Sequence, residues 1–277
     1  MSAVQRSRAR KPGRPDQDRA GPEPPLAAER SADARRPALS VVIPARNEAG
    51  SIRPLIEEIH RALEPLVAFE IVCVDDGSED NTASELRAAR AADPRLRVLS
   101  HRHACGQSTA IWSGVAAARG EWIVTLDGDG QNVPGDIPMM LEARDAADLE
   151  DLHMVAGIRR RRRDNWLRRV SSRVANGLRR RLLKDGIIDS GCGLKLFRRD
   201  AFLALPYFDH MHRFLPTLIR RNGGEVIQVP VDHRPRLSGK SSYGIHNRLW
   251  TGIADLLGVM WLQRRTKQPI IDNKDGS

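Results

Sequence analysis

The feature that most constrains this chain is an alternation repeated along its first half: a short apolar run, a polar turn, then an amphipathic stretch. Residues 39–43 form an apolar, β-branched run closed by Pro44, which predicts a buried strand. Ile52, Leu55, Ile56, Ile59 and Leu63 follow at helical spacing. Residues 70–74, 96–100 and 122–126 predict three more strands, with helices over 83–92 and 109–119 between them. Strands alternating with helices predict an α/β fold, a parallel sheet with helices on both faces. Ligands of such sheets gather at the carboxyl ends of the strands. Three polar clusters lie there: residues 44–48, 75–78 and 127–131.

The second half is less regular. A helix is expected over 136–147 and a short strand over 154–157, followed by an arginine-rich stretch through Lys184. A strand with a glycine-rich start is expected over 189–198, helices over 201–205 and 214–221, and an alternating strand over 225–231. A polar loop (234–244) and a last helix (247–264) close the pattern.

The acidic cluster Asp127-Gly128-Asp129-Gly130-Gln131 places two carboxylates two residues apart after a buried strand. Such a pair can hold a hard divalent cation through oxygen, and it can equally cap the next helix. Asp75-Asp76-Gly77-Ser78 can accept hydrogen bonds from a base or a ribose, or simply form a turn. Residues 44–48 can cradle a nucleoside or merely lead into a helix. Gly106 opens a helix whose N–H groups can meet an anion or be capped.

Taken together, Val-Val-Ile-Pro-Ala-Arg-Asn-Glu (41–48), Val-Asp-Asp-Gly-Ser (74–78), Gly-Gln-Ser-Thr-Ala (106–110) and Asp-Gly-Asp-Gly-Gln (127–131) resemble glycosyltransferase family 2. Residues 189–195, 212–216, 231–234 and 239–241 resemble its dolichyl- or polyprenyl-phosphate sugar synthase branch. The resemblance implies a nucleotide-sugar-binding fold of the GT-A type, with a mostly parallel central sheet. It implies transfer of a mannose- or glucose-type hexose from a nucleotide diphosphate sugar to polyprenyl phosphate, with inversion. Pro44, Ala45, Asn47, Glu48, Asp75, Asp76, Gly106 and Asp127 would line the nucleotide. Asp127, Asp129 and Gln131 would surround Mg2+ or Mn2+ and the diphosphate. Arg159 and Arg168 would lie near the acceptor phosphate, and Arg236 and Lys240 on a basic loop over the phosphates. Asp189 is the spare carboxylate, either a base or a loop-structuring group. The branch often has Ser-Gly-Phe-Arg where this chain has Cys192-Gly193-Leu194-Lys195, and lysine does not reproduce arginine's bidentate fork.

Charge adds the question of partners. The 277 residues carry +10, yet residues 157–184 alone carry twelve basic side chains and one acid, net +11. The positive field is therefore local. Trp166, Val170, Val174, Leu178 and Leu182 recur every four residues within it, a pattern suited to an interfacial helix on an anionic membrane surface and equally to packing on a core. The last helix is a second candidate contact. No run is long enough to span a bilayer, which leaves room for a separate membrane-protein subunit. Aromatic residues make up 4% of the chain and no nucleic-acid motif is present, so no nucleic-acid partner is expected, although a basic binding module is the rival outside enzymes. A glycosyltransferase of the same fold with a soluble or protein acceptor is the rival within them. Three widely spaced cysteines fit neither a disulfide framework nor a zinc site. The expectation is a cytoplasmic protein held peripherally at the inner face of the membrane. Four regions are expected: a disordered basic tail (1–38), a nucleotide-sugar-binding half (39–135), an acceptor-binding half with a basic amphipathic helix (136–264), and a flexible C-terminus (265–277).

Overall fold

The computed structural model describes residues 37–160, 177, 179–236 and 246–265. Most of the expected tails, most of the expected basic amphipathic helix, including Arg168, and most of the expected polar loop, including Lys240, fall outside the described residues.

The described residues form one seven-stranded sheet in the order β3-β2-β1-β4-β6-β5-β7. Its strands are β1 (Leu39–Ala45), β2 (Phe69–Asp75), β3 (Leu96–Ser100), β4 (Trp122–Thr125), β5 (Leu152–Arg159), β6 (Lys195–Arg198) and β7 (Glu225–Val231). The pairs β1–β2, β1–β4, β2–β3 and β5–β7 are parallel, and β6 runs antiparallel to both β4 and β5. The two halves anticipated from sequence thus share one sheet, joined at β4–β6.

Side-chain alternation sends each strand's residues to two cores. Val41, Ile43, Ile71 and Cys73 join one core with α1 (Ile52–Leu63), α2 (Thr82–Ala92) and α4 (Ile137–Ala146). Val42, Val72 and Val74 join the other with α3 (Gln107–Ala117), α5 (Arg199–Leu203), α6 (Leu215–Arg221) and α7 (His246–Arg265). Helices therefore cover both faces. The α1 stripe is the expected one: Ile52, Leu55, Ile56, Ile59 and Leu63 are all buried.

At the edge where the strands begin, Glu70 is buried. It accepts from Ser40 Oγ (2.8 Å), the Arg119 backbone N–H (2.6 Å), Arg119 Nε (3.0 Å) and Arg97 Nη1 (3.2 Å). Burial pushes its pKa up, but these donors and the two guanidinium charges outweigh burial and hold it below the ordinary carboxylate value. That edge is spent on stability, and the opposite edge is left for chemistry.

One expectation needs correction. The strand expected over 189–198 is only Lys195–Arg198. Residues 189–194, the glycine-rich start, form no strand, although Cys192 and Leu194 are fully buried. They are loop, because Gly193 has to pass over a carboxylate.

Candidate active site

Parallel register puts the ends of β1 and β2 side by side, Ala45 opposite Asp75 and Val42 opposite Thr125 of β4. The polar turns continue from there as neighbours. The Asp76 N–H donates to Ala45 O at 2.8 Å. A Cβ on Gly128 would lie 3.0 Å from Pro44 O, so the acidic turn runs directly against residues 44–45.

Asp127 is partly exposed. Its Oδ1 accepts from Gln107 Nε2 (2.8 Å), and its N–H donates to Asn132 Oδ1 (3.0 Å). A Cβ on Gly193 would approach Asp127 Oδ2 to 2.2 Å, so only glycine lets the loop before β6 close over this carboxylate. Burial and the Asp129 charge push the Asp127 pKa up, while Lys195 and Arg159 pull it down. Asp129 is buried. Its Oδ1 accepts from the Gln131 N–H (3.0 Å), and its Oδ2 pairs with Arg236 Nη2 (3.2 Å). The third carboxyl is Glu48. Its Oε2 is buried with no hydrogen-bond partner among the described residues. Burial, then the charges of Asp129, Asp127 and Asp80, raise its pKa from 4.5 to about 7 against the pull of Arg236.

This crowding has a measurable consequence. Below pH 4.5 Glu48 is protonated in the folded and unfolded chain alike and costs nothing. As pH rises to about 7 the unfolded chain ionises first, so stability is lost across that window. Glu48→Gln is expected to raise the Tm of the ligand-free protein at pH 8 by about 2–4 °C, the response to roughly 1 kcal/mol in a domain of this size and a value discounted for solvent access. The gain should vanish at pH 4. Thermal unfolding at the two pH values measures it, and an equal shift at both would discard the crowded-carboxyl explanation.

Arg159 ends β5 and is held in a fork by Asp189, Nε to Oδ2 and Nη2 to Oδ1 at 2.7 Å each. The Arg159 backbone N–H adds a contact to Oδ2 at 3.3 Å. Burial would lower the Arg159 pKa, but its paired carboxylate outweighs burial and raises it. Both Asp189 oxygens therefore face a guanidinium, the loop-structuring alternative. Lys195 is buried in β6 and donates to Cys192 O. Burial lowers its pKa, opposed by the nearby Cys192, Asp127 and Asp189.

The structure gives other anticipated residues more local duties. Asp76 accepts from Cys105 N and Gly106 N (2.8 Å each) and bonds His101 Nδ1 (2.7 Å), so it caps the entry to α3. The Gly106 N–H is thereby satisfied. Asp75 Oδ1 accepts from Ser78 N at 3.0 Å. Asn47, at φ 56°, donates its N–H to Ser78 Oγ (3.0 Å) and accepts from Glu79 N (2.8 Å). Gln131 Nε2 reaches Arg234 O at 3.4 Å. Asp76, His101 and Cys105 also offer ligand atoms within 4.8 Å of one another. Hydrogen bonds already join them, and burial with the Asp76 charge raises the Cys105 thiol pKa, which makes it a poor metal ligand.

Sequence reasoning missed several supports. Gln107 lay in a recognised motif, but nothing local says that its amide meets Asp127. Arg234 forks onto Glu58 (3.1 and 2.9 Å) and donates to Gly130 O (2.6 Å), fastening the segment before Arg236 to the acidic turn. His212 bonds Ser108 Oγ at 2.7 Å, and burial with nearby cations pushes its pKa well below the ordinary value.

A mostly parallel α/β sheet with an acidic turn after β4 and further polar turns beside it is an architecture of the GT-A type. The chain matches glycosyl transferase family 2 over residues 40–205 and belongs to that family. It is 37% identical over 210 residues to the undecaprenyl-phosphate 4-deoxy-4-formamido-L-arabinose transferase of Edwardsiella ictaluri (strain 93-146), covering 75% of this chain and 63% of that protein. It is 34% identical over 236 residues to a dodecaprenyl-phosphate galacturonate synthase of Rhizobium johnstonii, covering 83% of this chain and 69% of that one. The chain thus spans about two thirds of the length of these relatives. Among solved structures it is similar to glucosyl-3-phosphoglycerate synthase from Mycobacterium tuberculosis in complex with Mn2+, UDP and glucosyl-3-phosphoglycerate. The TM-score is 0.61 at 20% identity, over 84% of this chain and 81% of that one.

Proposed function

We propose that this protein transfers a glycosyl group from a nucleotide diphosphate sugar to polyprenyl phosphate, with inversion, while peripherally associated with a membrane. The observation that carries the reading is the juxtaposition of two charge systems. The acidic turn (Asp127, Asp129) touches the loop at Gly193, and the Arg159–Asp189 fork stands on the other end of that loop, where a Cβ on Gly191 would lie 3.2 Å from Arg159 Nη2. One wall suits a leaving diphosphate and the next suits an incoming phosphate.

The acidic turn fits a hard divalent cation. Three carboxyls crowd together, two of them with raised pKa, and Arg236 is the cation that Asp129 pairs with. Asp127 and Asp129 would hold Mg2+ or Mn2+, with Gln131 beside them, and the ion would supply charge neutralisation for the departing diphosphate. The remaining work falls to the chain's own groups. Residues 44–48 and 75–76 bound the nucleoside pocket. Arg236, followed in sequence by Lys240, comes over the phosphates. Arg159, preoriented by Asp189, binds the acceptor phosphate through charge-assisted hydrogen bonds. A phosphate monoester is already anionic at neutral pH, so it needs positioning at the anomeric carbon and no base to deprotonate it.

The names of the relatives support the acceptor class, and they span a formamidoarabinose and a galacturonate. The donor test therefore runs wider than mannose and glucose. Thermal shift with Mn2+ across uridine and guanosine diphosphate hexoses, pentoses and uronic acids should single out one donor, and that donor should label a short polyprenyl phosphate. Labelling of a soluble phosphorylated acceptor instead would overturn the polyprenyl reading. Salt-sensitive RNA retention without any sugar-nucleotide turnover would overturn the enzyme.

A further inference from the structure

The two partners of the acceptor-side fork stand on unlike supports. Arg159 closes β5, where the ladder to β7 fixes its backbone opposite Val231. Asp189 stands in a loop, residues 184–194, outside any strand. Just before it in sequence lies a cluster of buried charges. Asp185 and Arg179 are both buried, and Arg179 Nη1 meets Asp185 Oδ2 at 2.6 Å. The Thr217 hydroxyl of α6 donates to the same oxygen. Asp185 Oδ1 accepts from the Ile187 N–H at 3.1 Å, and Arg179 Nη2 donates to Ile187 O. Arg220 of α6 donates through Nη1 to Asp185 O, and through Nη2 to Val226 O at 2.9 Å. Gln228 of β7 uses both ends of its amide: Oε1 accepts from the Ile188 N–H at 2.8 Å, and Nε2 donates to Gly186 O at 3.1 Å.

Backbone atoms of successive residues 185–188 are thus gripped by side chains from α6, β7 and the helical turn at 179–183. Lys184 and Gly186, on either side of Asp185, are left-handed, with φ 51° and 65°. A lysine is held there against its own preference. Strain of that kind persists only where the surroundings over-determine the backbone, and it gathers near functional sites. Apolar packing does not supply the whole hold, since Ile187 is buried but Ile188 stands in solvent. A buried ion pair is also a poor device for stability alone, because apolar residues of similar volume often serve as well or better. What charges and amides add is direction. The fork at Asp189, with two contacts of 2.7 Å, tolerates little error in where the loop delivers its carboxylate. We propose that Asp185, fastened by Arg179 and Thr217, is a positioning residue for the acceptor: it sets the course of residues 186–188 so that Asp189 presents Arg159 to the acceptor phosphate. It acts through Asp189 and touches no substrate itself. The inference rests on the proposed role of Arg159 in binding that phosphate.

Steady-state kinetics on a short polyprenyl phosphate, with thermal unfolding of the same whole-chain proteins, test it. Both charges are removed at once, because removing one would leave the other buried and unpaired. Arg179→Met with Asp185→Leu is expected to keep the Tm within about 4 °C of wild type. It should raise the acceptor KM about tenfold while kcat and donor KM stay within about twofold, the effect of a misplaced binding group. Thr217→Val removes one O–H donor and should move the acceptor KM the same way by about threefold, which keeps the test decisive if the double variant does not fold. Added to Asp189→Asn, the double change should raise the acceptor KM by less than about twofold more, because both act through one fork. A wild-type acceptor KM in the folded double variant, or in Thr217→Val where the double variant does not fold, would make the cluster a structural brace and overturn the proposal. A loss of kcat at unchanged acceptor KM would overturn it too. Arg159→Lys separates the two levels. If it raises the acceptor KM and the cluster variants do not, the positioning role alone falls. If it leaves the acceptor KM unchanged, the role of Arg159 falls and this inference with it.

Discussion

Asp129→Asn is expected to lower metal-dependent turnover by about 10²–10³-fold, the scale of removing one preorganised electrostatic group from a reacting centre. The substitution is nearly isosteric. Asparagine keeps an Oδ1 to accept from the Gln131 N–H, now at 3.0 Å, so the acidic turn survives. It removes the charge that faces Arg236 at 3.2 Å. Two further readings follow from the same neighbourhood. Mn2+ affinity in the absence of donor, followed by electron paramagnetic resonance, should fall with turnover. The pKa of Glu48 should fall toward the ordinary carboxylate value, since after burial the Asp129 charge is the largest cause of its rise. The pH-dependent part of stability assigned to Glu48 should therefore shrink in this background. Vesicle binding should be unchanged. Turnover kept within threefold, at any Mn2+ concentration, would remove Asp129 from the site.

The acidic turn was legible because it obeys a local rule. Buried strands of β-branched residues announce themselves, and a parallel sheet puts their polar ends on one edge. The same rule gave α1, whose five apolar positions repeat at helical spacing and are all buried. What escaped was whatever depends on contacts distant in sequence. Arg234 forks onto Glu58 across 176 positions, and no pattern in either segment signals the pair. The short β6 escaped for a related reason. The glycine-rich segment before it reads as part of the strand, yet Gly193 closes over Asp127 there, where a Cβ would lie 2.2 Å from Oδ2, and only the folded chain reveals that contact. Asp76 shows the converse limit. A carboxylate at a strand end was expected to meet a nucleoside, and the same placement lets it satisfy the Cys105 and Gly106 N–H groups that open α3.

Asp189→Asn is expected to weaken acceptor use about a hundredfold, expressed in KM more than in kcat, and to cost about 3 kcal/mol of stability. The cause is Arg159. Its guanidinium is largely buried against Asp189, with two contacts of 2.7 Å, and stripping a buried charge of its partner costs about 3–5 kcal/mol. Asparagine can accept one of the two N–H donors and offers no charge, so the fork loosens and the acceptor phosphate loses its oriented partner. Arg159→Lys tests the same geometry from the other side, because an ammonium cannot make the planar two-point contact. If Asp189 acts only through Arg159, the two substitutions should give the same pattern of raised acceptor KM, and the double variant should be little worse than either alone, the mark of strongly coupled sites. A base would behave otherwise. Asp189→Asn would then abolish kcat with acceptor KM unchanged, Arg159→Lys would retain turnover, and the two effects would add. Steady-state kinetics on a short polyprenyl phosphate, with thermal unfolding of the same four proteins, decide between them, because only a positioning role predicts that KM, stability and non-additivity move together.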